Sequence, residues 1–149
     1  MYTKQDLKIG ALLRIAHQES SKIVHQRLIE AGYCDVNMTY APVIQPLGFN
    51  PSGLTISDLA KLAGMTTQSM GELVQHLIRG GYVEKERSHH DRRTRIVKLT
   101  AKGEELSLFF YSVMADIERE WAMKVGHERF QELRNILVEL IPSPIISES

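Results

Sequence analysis

The segment 54–103 constrains the fold more than any other stretch of this 149-residue chain. It begins with two short runs in which apolar residues recur at helical spacing, separated by a turn at Gly64. A glycine pair ends the second run, and two runs rich in strand-forming residues follow at 82–87 and 95–99. The segment therefore predicts two helices joined by a turn and followed by a β-hairpin.

This order is that of a winged helix-turn-helix, a module that reads double-stranded DNA. The charge distribution agrees with that interpretation. The formal net charge is zero, but 54–103 holds nine Lys and Arg against five Asp and Glu, and the remaining residues hold nine against 13. A basic region on a neutral protein favours a local nucleic-acid interface.

Amphipathic segments flank this module on both sides. Helical spacing predicts helices over 5–31 and 39–48 before it and over 101–125 and 130–141 after it. Pro46 is expected to bend or end the second helix early, and Pro142 and Pro144 to end the last one before a frayed tail. The first helix would be roughly 40 Å long at about 1.5 Å per residue, which suggests that part of it packs on a second copy.

The predicted fold is mainly α-helical with a small β-hairpin wing. We assign residues 1–35 to an N-terminal dimerisation helix, 36–100 to the winged helix-turn-helix DNA-binding lobe and 101–149 to C-terminal dimerisation helices. The three parts are expected to form one intertwined structural unit.

Composition and motifs exclude several other classes. Cys34 is the only cysteine, so no internal disulfide can form, and a lone thiol fits a reducing, cytoplasmic setting. The polar start of the chain has no signal or anchor pattern, and no run of about 18 apolar residues occurs. The sequence contains no glycine-rich phosphate loop, nucleophile elbow or HExxH motif, so we expect neither enzymatic activity nor a cofactor.

The second helix of a helix-turn-helix lies in the major groove with its first residues near base edges. Here that helix is capped by Thr66 or Thr67 and exposes a polar face. The candidate DNA-binding residues on it are Thr66, Thr67, Gln68, Ser69, Glu72, Gln75 and His76. Gln68 suits a bidentate contact with adenine, and Thr67 and Ser69 suit phosphate or a base edge.

The connection between the two strands is the second candidate DNA-binding element. It lacks an Asn-Gly or Asp-Gly turn, which predicts an extended, mobile basic loop. The candidate residues in this wing are Arg87, His89, His90, Asp91, Arg92, Arg93 and Arg95. Arginine suits a narrow minor groove, and Asp91 is expected to position an arginine through a charge-assisted hydrogen bond.

Residues 91–103, DRRTRIVKLTAKG, resemble the wing and following helix of the MarR family of bacterial regulators. The family pattern is Asp-any-Arg, a short strand and then Leu-Thr-any-any-Gly. The matching positions are Asp91, Arg93, Leu99, Thr100 and Gly103. The runs LTISDLAKLAG and LIRGGYVEKE upstream also fit, and the resemblance covers roughly 36–140.

The resemblance implies an obligate homodimer that binds a palindromic operator in double-stranded DNA, with Arg93 in the minor groove and Asp91 holding it. It also implies repression that is relieved by a small anionic or aromatic effector. Arg14, His17 and Tyr40 are candidates for lining the effector pocket, and Arg14 suits a carboxylate.

Two departures from the family pattern and three alternatives stay open. Gly71 lies inside the recognition helix, where the family usually has a larger residue, and Pro46 alters the helix that often lines the pocket. A redox-responsive regulator would use Cys34, and a metal-responsive one would use His89 and His90. The remaining alternative is a dimeric interaction module without DNA binding.

Overall fold

Residues 1–142 are described by a computed structural model, and the prediction of a frayed tail beyond Pro142, with Pro144, lies outside them. The elements are α1 (Ile9–Glu30), α2 (Ala41–Phe49), α3 (Ile56–Ala63), α4 (Thr67–Arg79), β1 (Val83–Arg87), β2 (Arg95–Leu99), α5 (Ala101–Val125) and α6 (His127–Leu140), with 3-10 turns at Lys4–Asp6 and Met38–Tyr40. This order confirms the predicted class, mainly α-helical with one antiparallel hairpin. The chain divides into two compact units, Met1–Met38 and the part from Thr39 onward.

The first helix starts later than predicted, at Ile9. Asp6 explains the difference, because its carboxylate accepts hydrogen bonds from the Thr3 amide at 2.7 Å and the Thr3 hydroxyl at 2.8 Å and so closes a separate 3-10 turn. The same bonds lower the pKa of Asp6, with the backbone donor contributing most. The far end is as predicted: Gly32, at φ 90°, lets the Tyr33 amide reach back to the Leu28 carbonyl at 2.9 Å.

Pro46 was predicted to bend the second helix or end it early; the helix continues through this proline to Phe49, so the early ending is wrong. Pro42 sits in the first turn, where a missing N–H is harmless, as predicted. Val43, Ile44 and Leu47 are fully or almost fully buried, and this burial stabilises the helix despite the hydrogen bond that Pro46 cannot donate. The Asn50 side-chain Nδ2 donates to the Pro46 carbonyl at 2.7 Å and so satisfies one of the last carbonyls of the helix.

The helix-turn-helix is bounded by the residues that the sequence indicated. The Thr55 hydroxyl accepts from the Asp58 amide at 3.0 Å at the start of α3. Gly64 adopts φ 63° after α3, and Gly81 adopts φ 79° after α4, which are left-handed conformations that glycine tolerates. The Tyr82 amide donates to the Leu77 carbonyl at 2.9 Å and so helps to close the end of α4. Because Tyr82 belongs to this helix ending, β1 begins one residue later than predicted, at Val83.

The core of the second unit lies where α2 packs on α3 and α5 and where α3 packs on α4. Its most buried side chains are Val43, Ile44, Leu47, Leu59, Met70, Val74, Leu77, Leu106 and Val113. Ile56, Ala63 and Leu73 were predicted in the buried stripes and are half-buried at their edges. The polar face of α4 is thereby turned away from the core.

Candidate nucleic-acid interface

Helix α4 is held firmly at its start by Thr66. The Thr66 hydroxyl accepts a hydrogen bond from the Ser69 amide at 3.1 Å and donates to the Ser69 hydroxyl at 3.0 Å. Thr66 and Ser69 therefore have a capping role in the fold, whatever else they contact. Thr67 and Gln68 follow in the first turn and are exposed, at the end of the helix where amide groups and the dipole favour an anion.

The exposed polar face continues along α4. Gln68, Glu72, Gln75 and Arg79 are all exposed, and their spacing places them on one side of the helix. We call these four residues the outer stripe. Arg79 was not among the candidate DNA-binding residues, although its spacing from Gln75 in the sequence indicates the same face.

His76 departs from the predicted exposed face. Its ring is half-buried and stacks on the Tyr40 ring, with centroids 4.7 Å apart and planes 10° from parallel. The expectation that His76 lies exposed beside Gln75 is therefore corrected, because an aromatic neighbour from the 3-10 turn before α2 covers it. No local periodicity in the sequence indicates this long-range pair.

Gly71 has open space beside it. A Cβ added at Gly71 would meet no heavy atom within 4 Å, so packing within the described chain does not require glycine there. Its φ is not positive, so the backbone does not require glycine either. A glycine inside a helix is destabilising by about 1 kcal/mol relative to alanine, and the fold offers no compensation for that cost.

The wing is built on a regular ladder. Val83 pairs with Leu99 at its base and Arg87 pairs with Arg95 at its tip. Lys98 forms an ion pair with Glu86 across the strands. Leu54 forms a single β-bridge to Val97 of β2. The Leu54 amide donates to the Val97 carbonyl at 3.0 Å, and the Val97 amide donates to the Leu54 carbonyl at 2.7 Å. The sequence did not indicate this bridge.

Asp91 organises the loop between the strands. Its carboxylate accepts from the Arg93 amide at 2.9 Å and from the Thr94 hydroxyl at 3.2 Å. The Ser88 amide closes the loop onto the Thr94 carbonyl at 2.8 Å, so the loop is folded back on itself and not extended as predicted. Asp91 does position Arg93, but through the main chain of Arg93 and not through its guanidinium.

The basic side chains of the wing point away from the core. His89, His90, Arg92, Arg93 and Arg95 are exposed, as is Arg87 at the end of β1. Within residues 1–142, neither Arg92 nor Arg93 forms an ion pair, so their guanidinium groups keep their donors for a ligand. The structure thus places the predicted wing residues on the loop and on the two strand ends, Arg87 and Arg95, that flank it.

The start of α5 joins the wing to the end of α4. Thr100 caps α5, its hydroxyl accepting from the Gly103 amide at 3.1 Å, while its own amide donates to the Tyr82 carbonyl at 3.0 Å. A side chain at Gly103 would overlap that Tyr82 carbonyl, which explains the glycine of the Leu-Thr-any-any-Gly motif. Lys102 was not among the residues that the sequence indicated. Its Nζ donates to the Gly80 carbonyl at 2.8 Å and lies 4.3 Å from the centre of the Tyr82 ring.

The effector-pocket candidates belong to separate units. Arg14 and His17 are exposed on α1. The Arg14 guanidinium donates to the Gln18 side-chain oxygen at 3.2 Å, and the His17 Nε2 lies 3.5 Å from the Ser21 hydroxyl oxygen. Tyr40 belongs to the second unit. A pocket formed by these three residues stays a prediction.

Cys34 is exposed. Within residues 1–142, no cluster of three or more His, Cys, Asp and Glu side chains is arranged to hold a metal ion. None of the helices in that range has the length and apolar character needed to cross a membrane.

Comparison with known proteins relates part of this chain to a described family. Residues 35–94 match the family model described as MarR family. The match covers 60 of the 149 residues and includes α2, α3, α4, β1 and the wing loop. No curated protein sequence matches this chain.

The similarity to solved structures extends beyond the segment that matches the family model. The S. aureus MepR–DNA complex has a TM-score of 0.74 at 21% identity, covering 90% of this chain and 96% of MepR. Wild-type E. coli MarR in its apo form has a TM-score of 0.72 at 18% identity, covering 91% and 98%. A probable transcriptional regulator from Pseudomonas aeruginosa has a TM-score of 0.74 at 22% identity, covering 93% and 100%. These TM-scores, at such low sequence identities, show that the chain shares the fold of these proteins.

Proposed function

We propose that this protein is a regulator of transcription that binds specific sequences in double-stranded DNA. The observation that carries the proposal is the pairing of two exposed surfaces in one compact unit: the polar face of α4 and the arginines of the wing loop. β1, the first strand of the wing, packs on α4, so the two surfaces are held on neighbouring elements. The fold is shared with MepR, which has been solved as a DNA complex.

In this proposal α4 enters the major groove and the wing reaches an adjacent minor groove. Gln68 would meet base edges near the start of α4, while the α4 amides and Thr67 face phosphate. Arg93 would enter the minor groove because its main chain is fixed by Asp91 and its guanidinium is unpaired within the described residues. Arg92 beside it would contribute a phosphate contact.

The test is binding to DNA from the region upstream of the protein's own coding sequence. We expect wild-type protein to protect a site on that DNA and to lose affinity steeply as salt is raised. Arg93→Ala should weaken binding about tenfold or more with an unchanged thermal midpoint, because Arg93 is exposed and its guanidinium has no ion-pair partner within residues 1–142. Lys22→Ala removes the same charge from α1 and serves as the control; equal losses for both variants would refute the wing assignment.

The functional form is proposed to be a homodimer that binds a palindromic operator. Apolar side chains on the terminal helices are exposed in the single chain: Ile9 at 68% and Leu13 at 43% on α1, and Ile136 at 44% and Leu140 at 70% on α6. Exposed apolar area of this kind supports a protein–protein interface. Two copies related by a two-fold axis would place their α4 helices on half-sites about one helical turn apart.

Light scattering in solution tests the dimer. We expect Ile136→Glu to yield monomers that keep their helical circular dichroism and no longer bind the operator, because a charge would be buried at the interface. Gln131→Glu adds the same charge at an exposed polar position of α6 and should remain dimeric. A monomeric wild-type protein would contradict the homodimer.

We further propose that the protein is a repressor released by a small anionic or aromatic effector near Tyr40. The Tyr40–His76 stack supports this, because a ligand that displaces the Tyr40 ring would disturb a residue of α4 itself. Aromatic carboxylic acids should raise the thermal midpoint of the wild-type protein and release it from DNA. A Tyr40→Leu variant should lose the release and keep DNA binding; release by oxidant that Cys34→Ser abolishes would favour the redox alternative instead.

A further inference from the structure

The outer stripe of α4 contains one acid among residues suited to reading DNA. Gln68, Glu72 and Gln75 span about 10 Å along the helix axis, since an α-helix rises about 1.5 Å per residue. That length corresponds to roughly three base pairs at about 3.4 Å each. Glu72 lies in the middle of this span, so it would face the centre of the bases that α4 meets.

Glu72 is exposed and, within residues 1–142, has neither an ion pair nor a side-chain hydrogen bond. Two other acids of the same segment do have partners: Glu86 forms an ion pair with Lys98, and Asp91 accepts from the Arg93 amide. A carboxylate has only acceptors, and the phosphates that line a groove repel it. The major-groove group that compensates for this repulsion is an exocyclic amino donor, and cytosine N4 is the donor that Glu most suits.

Gly71, the residue before Glu72, leaves a gap on the same side of α4. Thr67 precedes it by one turn and Gln75 follows it by one turn, so Gly71 lies between two exposed polar residues. Neither packing nor backbone conformation in the described chain requires a glycine there. A bare Cα at this position lets the helix backbone approach a base edge more closely than any side chain would.

We propose that Glu72 selects a C·G base pair in each half-site by accepting a hydrogen bond from cytosine N4, and that Gly71 provides the clearance for this approach. The inference rests on the proposed DNA-binding function. It adds a specific expectation, namely one base position per half-site that is governed by Glu72.

Selection from randomised DNA, followed by affinity measurement, tests the role of Glu72. Wild-type protein should select a cytosine at one position of each half-site, and Glu72→Ala should lose the preference at that position alone. Affinity for the selected operator should fall about tenfold, while affinity for random DNA should rise because a negative charge is lost. Glu72→Gln should shift the preference toward adenine, which suits a side-chain amide.

Glu84→Ala is the matched control, since Glu84 is an exposed acid on β1. It should raise affinity for operator and random DNA by the same factor and leave base preference unchanged. If Glu72→Ala behaves like this control, the inference is overturned and the proposed function stands. If the wild-type protein selects no DNA sequence at all, both fail together.

Gly71→Ala tests the clearance separately. It should raise the thermal midpoint by about 2–4 °C, because alanine is the better helix former, and lower operator affinity several-fold. Gly10→Ala is the control, because a Cβ at Gly10 in α1 also meets nothing within 4 Å. It should not change DNA binding, and unchanged operator affinity for Gly71→Ala would overturn the role given to Gly71.

Discussion

Helix α4 and the wing loop present their exposed residues in different ways. α4 is anchored by burial: Met70, Val74 and Leu77 on its inner face are at 0% exposure. The wing loop has no buried residue and is held by hydrogen bonds to the Asp91 carboxylate and by the bond from the Ser88 amide to the Thr94 carbonyl. Changes to the anchor of α4 should therefore affect stability and binding together, whereas changes in the wing should affect binding with little loss of stability.

The largest effect is expected from Met70→Ala. Removing a fully buried methionine leaves a cavity and should lower the free energy of unfolding by about 2–5 kcal/mol. Denaturant unfolding measures this change. Gln75→Ala on the opposite face should stay within about 0.5 kcal/mol of wild type, and a similar loss for both variants would show that burial does not distinguish the two faces.

A smaller effect is expected from Thr66→Ala, which removes the cap of α4. The Ser69 amide then loses its 3.1 Å acceptor, and the free energy of unfolding should fall by about 1 kcal/mol. Thr66→Asp keeps an acceptor at the cap and should retain most of the stability. If alanine and aspartate behave alike in thermal unfolding, the cap contributes nothing measurable.

The smallest stability effect is expected from Asp91→Ala, at under about 0.5 kcal/mol, because the loop is exposed. DNA affinity should nevertheless fall several-fold, since the Arg93 main chain loses its acceptor at 2.9 Å. Asp91→Asn keeps a side-chain oxygen in the same place and should bind closer to wild type. A loss of stability as large as that of Met70→Ala would contradict the contrast between helix and wing.

Local chemistry in the sequence predicts much of this architecture. Thr55 and Thr100 begin helices because their hydroxyls accept from amides three residues on, and Gly64 and Gly81 end helices because they adopt positive φ. Both effects depend only on neighbouring residues. The position and length of β2 were likewise predicted correctly from a short run that mixes polar residues with strand-formers.

Several features that the sequence did not predict depend on residues distant along the chain. The Tyr40–His76 stack, the Leu54–Val97 bridge and the contact of Lys102 with the end of α4 join separate elements. The passage of α2 through Pro46 depends on burial, which outweighs propensity. Periodicity cannot indicate such contacts, because it describes one element at a time.

The contacts made by Thr100 and Lys102 have a mechanical consequence. Through them, the first turn of α5 holds both the glycine carbonyls that follow α4 and the base of the wing. A displacement of that turn is expected to carry both elements with it. Under the proposed function, a small shift of this single turn would move α4 and the wing relative to bound DNA at the same time.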